Sequence, residues 1–189
     1  MKRILSLLLS VSVISTASAV SFDWTAASIK FNDAAVKAST AVTGYLVYIG
    51  TATSVESVDI SSDTISTITS NLGTQVSEKN KPNAYSKLTG TYAFDFGSKV
   101  NGDSFAMLLT YADSESGKTY YNLSSTVYTL SGLTDETSTP DDAVFTFSYA
   151  SAGSSSKATA GGGWTAVPEP STAALALAGL ALLIRRRKA

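Results

Sequence analysis

Apolar residues recur with period two through most of this chain, and that alternation commits it to strands rather than helices. The plainest case is FAMLLTYA at residues 105–112. Phe105, Met107, Leu109 and Tyr111 share one face there, and Ala106, Leu108 and Thr110 the other. AVTGYLVYIG at 41–50 is a β-branched and aromatic run closed by glycine. TYAFDFG at 91–97 puts Tyr92, Phe94 and Phe96 on one face, and Asn101-Gly102 supplies a turn signal behind it. Residues 105–111 and 119–123 read as a hairpin across the polar loop DSESGK. Residues 22–26, 29–31, 126–130 and 144–149 read as further strands, and LTDETSTPDD at 133–142 as an acidic loop.

One segment breaks the alternation. In SSDTISTITSNLGTQVSEK, residues 61–79, Ile65, Ile68, Leu72 and Val76 fall at helical spacing, with Ser61 or Ser62 as cap and Asp63 in the first turn. Thr is a poor helix former and Gly73 interrupts the run, so a strand pair around Asn71-Leu72-Gly73 is the alternative. The expected fold is mainly β: a single antiparallel β-sandwich or flattened barrel with one helix, over residues 20–149. ASAGSSSKATAGGG and the residues to 166 read as a Gly/Ser/Ala-rich linker. Trp-Thr-Ala occurs at 24–26 and again at 164–166, by chance or as a paired first and last strand.

The two ends differ in kind from this body. Residues 1–19 join Lys2 and Arg3, an apolar-rich stretch and Ala17-Ser18-Ala19, the pattern of a signal peptide cut after Ala19 by signal peptidase. Residues 172–184 are apolar or small after the first and precede Arg185, Arg186, Arg187 and Lys188. As a hydrophobic helix these thirteen residues would span roughly 20 Å, short of a hydrocarbon core of about 30 Å. The basic cluster stays cytoplasmic by the positive-inside rule, which makes the segment a stop-transfer tail with the body outside.

Removing the ends shifts the charge. All four arginines leave with them, and residues 20–166 keep eight lysines against fourteen acidic residues, a net charge of −6. An acidic body without arginine has no basic footprint for nucleic acid. Cysteine and histidine are absent, which removes the usual zinc and copper ligand sets and the Ser-His and Cys-His nucleophile pairs. No cofactor is expected, and no enzyme activity. Paired carboxylates remain as the one route to glycoside hydrolysis: Asp59 with Asp63, Asp95 with Asp103, Asp113 with Glu115, and the group Asp135, Glu136, Asp141, Asp142. Their Gly, Ser, Thr and Pro neighbours read more simply as turns capped by Asp. For calcium, the loop at 133–142 is the best candidate by charge density. Tyr120, Tyr121 and Tyr128 are candidates for a sugar-stacking face, against the plainer reading as core and cross-strand partners. Asn122-Leu123-Ser124 fits a glycosylation sequon.

The tail carries a resemblance. Val167-Pro168-Glu169-Pro170-Ser171-Thr172, the Ala/Leu-rich run with Gly179, and the cluster Arg185–Lys188 resemble the PEP-CTERM sorting signal. The resemblance implies that Pro168, Glu169 and Pro170 are recognised by exosortase, a membrane-embedded cysteine protease that cuts nearby and releases or transfers the protein. It implies a membrane-anchored precursor, a transient membrane contact, and a final place at the cell surface or in the extracellular matrix, with extracellular polysaccharide as a partner. Prolines flanking Glu169 suit this, because they deny the stretch a helix. The expected function is therefore an exported structural or interaction protein. A carbohydrate- or calcium-binding surface module is the alternative, and a carboxylate-dependent glycoside-acting enzyme comes behind it.

Overall fold

A computed structural model describes residues 19–32, 34–36, 41–60, 64–151 and 157–167. The segment 1–18, including Ala17, and the tail from Pro168 onward, including the expected helix at 172–184, lie outside the described residues. The chain opens with β1 (Ala19–Ala26), β2 (Lys30–Phe31), β3 (Ala34–Ala35), β4 (Ala41–Tyr48) and β5 (Ser57–Val58). Helix α1 (Ile65–Leu72), β6 (Thr74–Asn80), β7 (Leu88–Asp95) and β8 (Ser104–Ala112) follow. It closes with β9 (Thr119–Leu123), β10 (Tyr128–Thr129), β11 (Val144–Phe147), β12 (Ala158–Thr159) and β13 (Thr165–Ala166).

The strands form two main open sheets. One runs β11-β1-β7, the other β13-β9-β8-β4-β6, with β10 also paired to β8. β9 and β10 occupy successive stretches of one edge of β8: Leu123 sits opposite Leu108, and Tyr128 opposite Phe105. Between them the Ser124 hydroxyl accepts from the Met107 N–H at 3.2 Å, which bridges the break in the ladder. Open sheets replace the barrel alternative. One pair also departs from the antiparallel expectation, since β11 runs parallel to β1 from Asp23↔Val144 to Ala26↔Phe147.

Period two decides what each sheet buries. Val20, Phe22, Trp24 and Ala26 of β1 all point inward and are buried. They meet Phe105, Met107 and Leu109 of β8 with Val42 and Leu46 of β4 in one cluster. The Phe22 ring lies 5.1 Å from that of Phe105 and 4.4 Å from that of Tyr128. The other face of β8 is covered as well. Leu108, Tyr121 and Leu123 pack under Ile68 of α1, Val58 and Ile60 beside β5, and Ala158 of β12. β8 is therefore buried from Ser104 to Thr110 on both sides, which accounts for its uncharged sequence.

Trp24 is fully buried against β7, where Gly90 is its cross-strand partner. A Cβ on Gly90 would stand 2.5 Å from the indole ring, so the ring occupies space that only glycine leaves free. The indole N–H is buried without a partner among the described residues.

The helical pattern at 61–79 resolves into two elements. Thr64 caps α1, accepting from the Thr67 N–H at 3.3 Å, and the Thr69 hydroxyl donates back to the Ile65 carbonyl at 2.9 Å. Ser61, Ser62 and Asp63 lie outside the described residues. Gly73 ends the helix, where a side chain would run into the Tyr48 carbonyl. Val76 then falls in β6, which pairs with β4. Tertiary pairing overrides a spacing that Thr-rich sequence supports poorly.

Smaller departures have equally local causes. β7 stops at Asp95, and Phe96 leaves the face of Tyr92 and Phe94 to stand 42% exposed. β10 keeps only two residues, because Ser148 engages the chain just before it: its carbonyl accepts from the Ser125 N–H and its own N–H donates to the Thr126 hydroxyl. The two Trp-Thr-Ala stretches lie in different sheets and do not pair.

Two substitutions test this packing by chemical denaturation. Gly90→Ala forces a methyl group into the Trp24 ring and lowers unfolding free energy by about 1–3 kcal/mol. Leu108→Ala leaves a cavity between β8 and the helix layer and costs about 2–5 kcal/mol. An unchanged midpoint for Gly90→Ala would contradict the tight Trp24 slot.

Candidate functional site

The last described residues form the junction with the tail, and they belong to the fold. Residues 150–166 were expected to be linker by composition, yet Ala158 is fully buried and pairs with Val58. The Gly161 N–H then donates to the Leu123 carbonyl at 3.1 Å. Trp164 is 3% exposed, and its indole N–H donates to the Lys30 carbonyl at 2.6 Å. Its ring stands edge-on to Phe31 and Tyr111. β13 follows directly, with Thr165 opposite Tyr121 and Ala166 opposite Tyr120. The Val167 N–H donates to the Thr119 carbonyl at 2.9 Å, and Val167 packs against the second core. Pro168 is the next residue.

The carboxylates named above sit mostly on turns. Asp113 accepts from the Ser116 hydroxyl at 2.5 Å and the Glu115 N–H at 3.1 Å. Those bonds hold its carboxyl below the usual range. Asp135 accepts from the Thr137 hydroxyl at 2.7 Å and its N–H at 2.8 Å, with the same result. Asp103 is buried; it accepts from the Tyr48 hydroxyl at 3.0 Å and the Val100 N–H at 2.9 Å, which tie β4 to the turn before β8. Among the described residues no three His, Cys, Asp or Glu side chains gather as a metal site.

The candidate aromatic platform is turned inward. Tyr121 and Tyr128 are buried, and the Tyr128 hydroxyl donates to the Asp141 carbonyl at 3.1 Å. Tyr120 is half-buried against Phe31 and Tyr111. Asn122 of the sequon is buried too, its amide N–H donating to the Ala150 carbonyl at 2.8 Å. Its amide oxygen and the Tyr149 hydroxyl are buried without a partner among the described residues. Both residues line a cavity of about 20 Å³, which has room for one water.

Sequence reasoning did not single out one groove on the surface. An open groove of about 490 Å³ crosses the outer face of the three-stranded sheet. Thr25, Thr89 and Thr91 line it with Asp23, Lys79, Lys87 and Val144. The Thr91 hydroxyl donates to the Asp23 carboxylate at 2.5 Å, across the pair Asp23↔Thr91. The signal was present in period two, since Asp23, Thr25, Thr89 and Thr91 alternate with the inward residues of β1 and β7. The two lysines come from β6 and the loop before β7, and no local pattern links them. A second hollow, about 310 Å³, lies beside Phe96, Lys99, Val100 and Leu133.

Residues 166–188 match the PEP-CTERM protein-sorting motif. The motif is that of an exported, membrane-anchored precursor processed by exosortase. No curated protein and no solved structure matches the chain. Among the described residues no helix is long and apolar enough to cross a membrane.

Burial raises the phenols of Tyr121 and Tyr128 to about 12 from an ordinary 10.0. A raised acid keeps its proton in the fold, so its stabilisation is complete below pH 10.0 and is lost as pH climbs toward 12. In a spectroscopic titration, tyrosinate absorbance from these two appears only as the domain unfolds. Their ionisation near the ordinary value in a folded protein would contradict the burial.

Proposed function

We propose that this chain is the precursor of an exported, exosortase-processed surface or extracellular-matrix protein of a bacterium, whose β domain serves as a structural or interaction module rather than a catalyst. The sorting-motif match over residues 166–188, beginning inside β13, carries the reading. Signal peptidase removes residues 1–19 in this scheme. A cut after Ala19 keeps Val20 and the whole inward face of β1, which supports that position. Pro168, Glu169 and Pro170 are the residues exosortase reads, and Arg185, Arg186, Arg187 and Lys188 hold the tail's end on the cytoplasmic side. The domain is a sandwich of two open sheets with a third layer made by α1 and the β5–β12 strand pair. Its acids cap turns and its aromatics fill the core, a distribution that favours a scaffold over a catalyst.

A second reading is favoured by the groove on the three-stranded sheet. Lys79 and Lys87 bring two cations to a hydroxyl-lined surface on an otherwise acidic body. That chemistry fits an acidic polysaccharide better than a neutral one, and it moves the carbohydrate hypothesis away from the buried tyrosines.

Intact mass spectrometry from the native host tests the first reading. The expected product lacks residues 1–19 and the apolar tail, and a chain still ending at Ala189 would sink it. For the second, the double substitution Lys79→Glu, Lys87→Glu should weaken retention on an immobilised uronate polymer at least tenfold at low salt. Equal retention removes the groove from consideration.

A further inference from the structure

We infer that Tyr85 is the sugar-stacking residue of the lysine-bearing groove, so that the groove takes an acidic glycan rather than any polyanion. The inference rests on the second reading above and names the contact that selects the ligand.

Of the nine tyrosines, eight are buried or half-buried, and Tyr85 alone stands exposed, at 86%. Its ring adds nothing to the core, yet the segment that carries it is tied down. Pro82 and Ser86, on either side, are buried. The Asn83 side-chain oxygen accepts from the Tyr85 N–H at 2.9 Å and from the Lys87 N–H at 3.1 Å. The Asn83 N–H donates to the Lys87 carbonyl at 2.9 Å, and the Ser86 carbonyl accepts from the Ile29 N–H at 2.9 Å. Lys81 and Ser86 hold φ at 60° and 56°, a left-handed conformation that persists in such residues only where the surroundings impose it. A tyrosine on so fixed a backbone has two side-chain torsions left to lose on binding.

The loop also gathers charge. Residues 79–94 contain three lysines and no acid, inside a body of net charge −6 over residues 20–166. Lys79 and Lys87 line the groove with the hydroxyls of Thr89 and Thr91. Tyr85 lies two residues from Lys87, within about 7 Å along the backbone. Asp23 shares the groove and accepts from the Thr91 hydroxyl at 2.5 Å. A carboxylate there repels a polymer that offers negative charge alone, whereas its remaining lone pairs accept from sugar hydroxyls. One ligand class meets all of these groups: carboxylates for the lysines, hydroxyls for Asp23, and a ring whose C–H face packs on the phenol.

Two carboxylate polymers separate that class from simple polyanions: a soluble polyuronate, and polyacrylate, which has neither sugar ring nor hydroxyl. Each is titrated at low salt against the full chain. Tyr85→Ala should weaken polyuronate binding about fivefold or more and leave polyacrylate within about twofold. Tyr85→Phe keeps the ring and should bind both polymers as wild type does. Unchanged polyuronate affinity in Tyr85→Ala, or an equal loss on both polymers, would overturn the inference. The double substitution Lys79→Glu, Lys87→Glu, run alongside, tells the two readings apart. If it loses polyuronate and Tyr85→Ala does not, the groove stands and the stacking role falls. If neither variant loses affinity, or wild type binds no polyuronate, both readings fall together.

The unaltered protein gives a second readout. Mild nitration by tetranitromethane, mapped by mass, should modify Tyr85 ahead of the covered phenols. Saturating polyuronate should slow that modification about fivefold or more, and polyacrylate should leave it unchanged. Equal nitration of Tyr85 with and without polyuronate would contradict the stacking directly.

Discussion

The fold depends on the double burial of β8. A strand buried on both faces needs two separate covers, and each must come from elsewhere in the chain. The inner cover is the three-stranded sheet, whose β1 faces Phe105, Met107 and Leu109 with Phe22 and Trp24. The outer cover is assembled from α1, β5 and β12, none of which is long enough to stand alone. Ile68, Ile60, Val58 and Ala158 make it a core only by meeting over Leu108 and Leu123. This arrangement brings residue 158, and with it the approach to the tail, into the body of the protein.

Polar chemistry follows from the same economy. With the interior filled by aromatics, hydroxyls and carboxylates are pushed to the turns, where they satisfy backbone N–H groups. Asp113 and Asp135 are each engaged by their own loops, and Asp103 ties a turn to Tyr48. Such groups stabilise loops and are spent in doing so. The lysine-bearing groove is different in kind, because Lys79 and Lys87 face solvent beside hydroxyls.

Much of this was legible beforehand, and the misses have a common cause. β4, the β8–β9 hairpin and the two faces of β8 follow from period two, because that period is a local property of the backbone. The sorting motif was legible because its residues are contiguous. What period two does not contain is which strand lies beside which. The parallel β1–β11 pair, the collision space that Gly90 leaves for Trp24, and the conversion of Val76 from helix to strand all depend on partners far along the chain. The glycine- and serine-rich composition around Ala158 and Trp164 misled for the same reason: short strands at an edge are made by their neighbours, not by their own propensity. Tyr121 and Tyr128 carried both readings until their partners were known.

The parallel pairing of β1 with β11 carries a consequence for the order of events during export. The first strand to leave the cell interior finds one neighbour at residues 88–95 and the other only at residues 144–147. Such distant pairing is slow to form. A chain threaded outward from its N-terminus thus holds an unfinished sheet until nearly all of the domain has crossed. On the export route proposed above, the sheet around Trp24 therefore closes late, only once β11 has arrived beside β1.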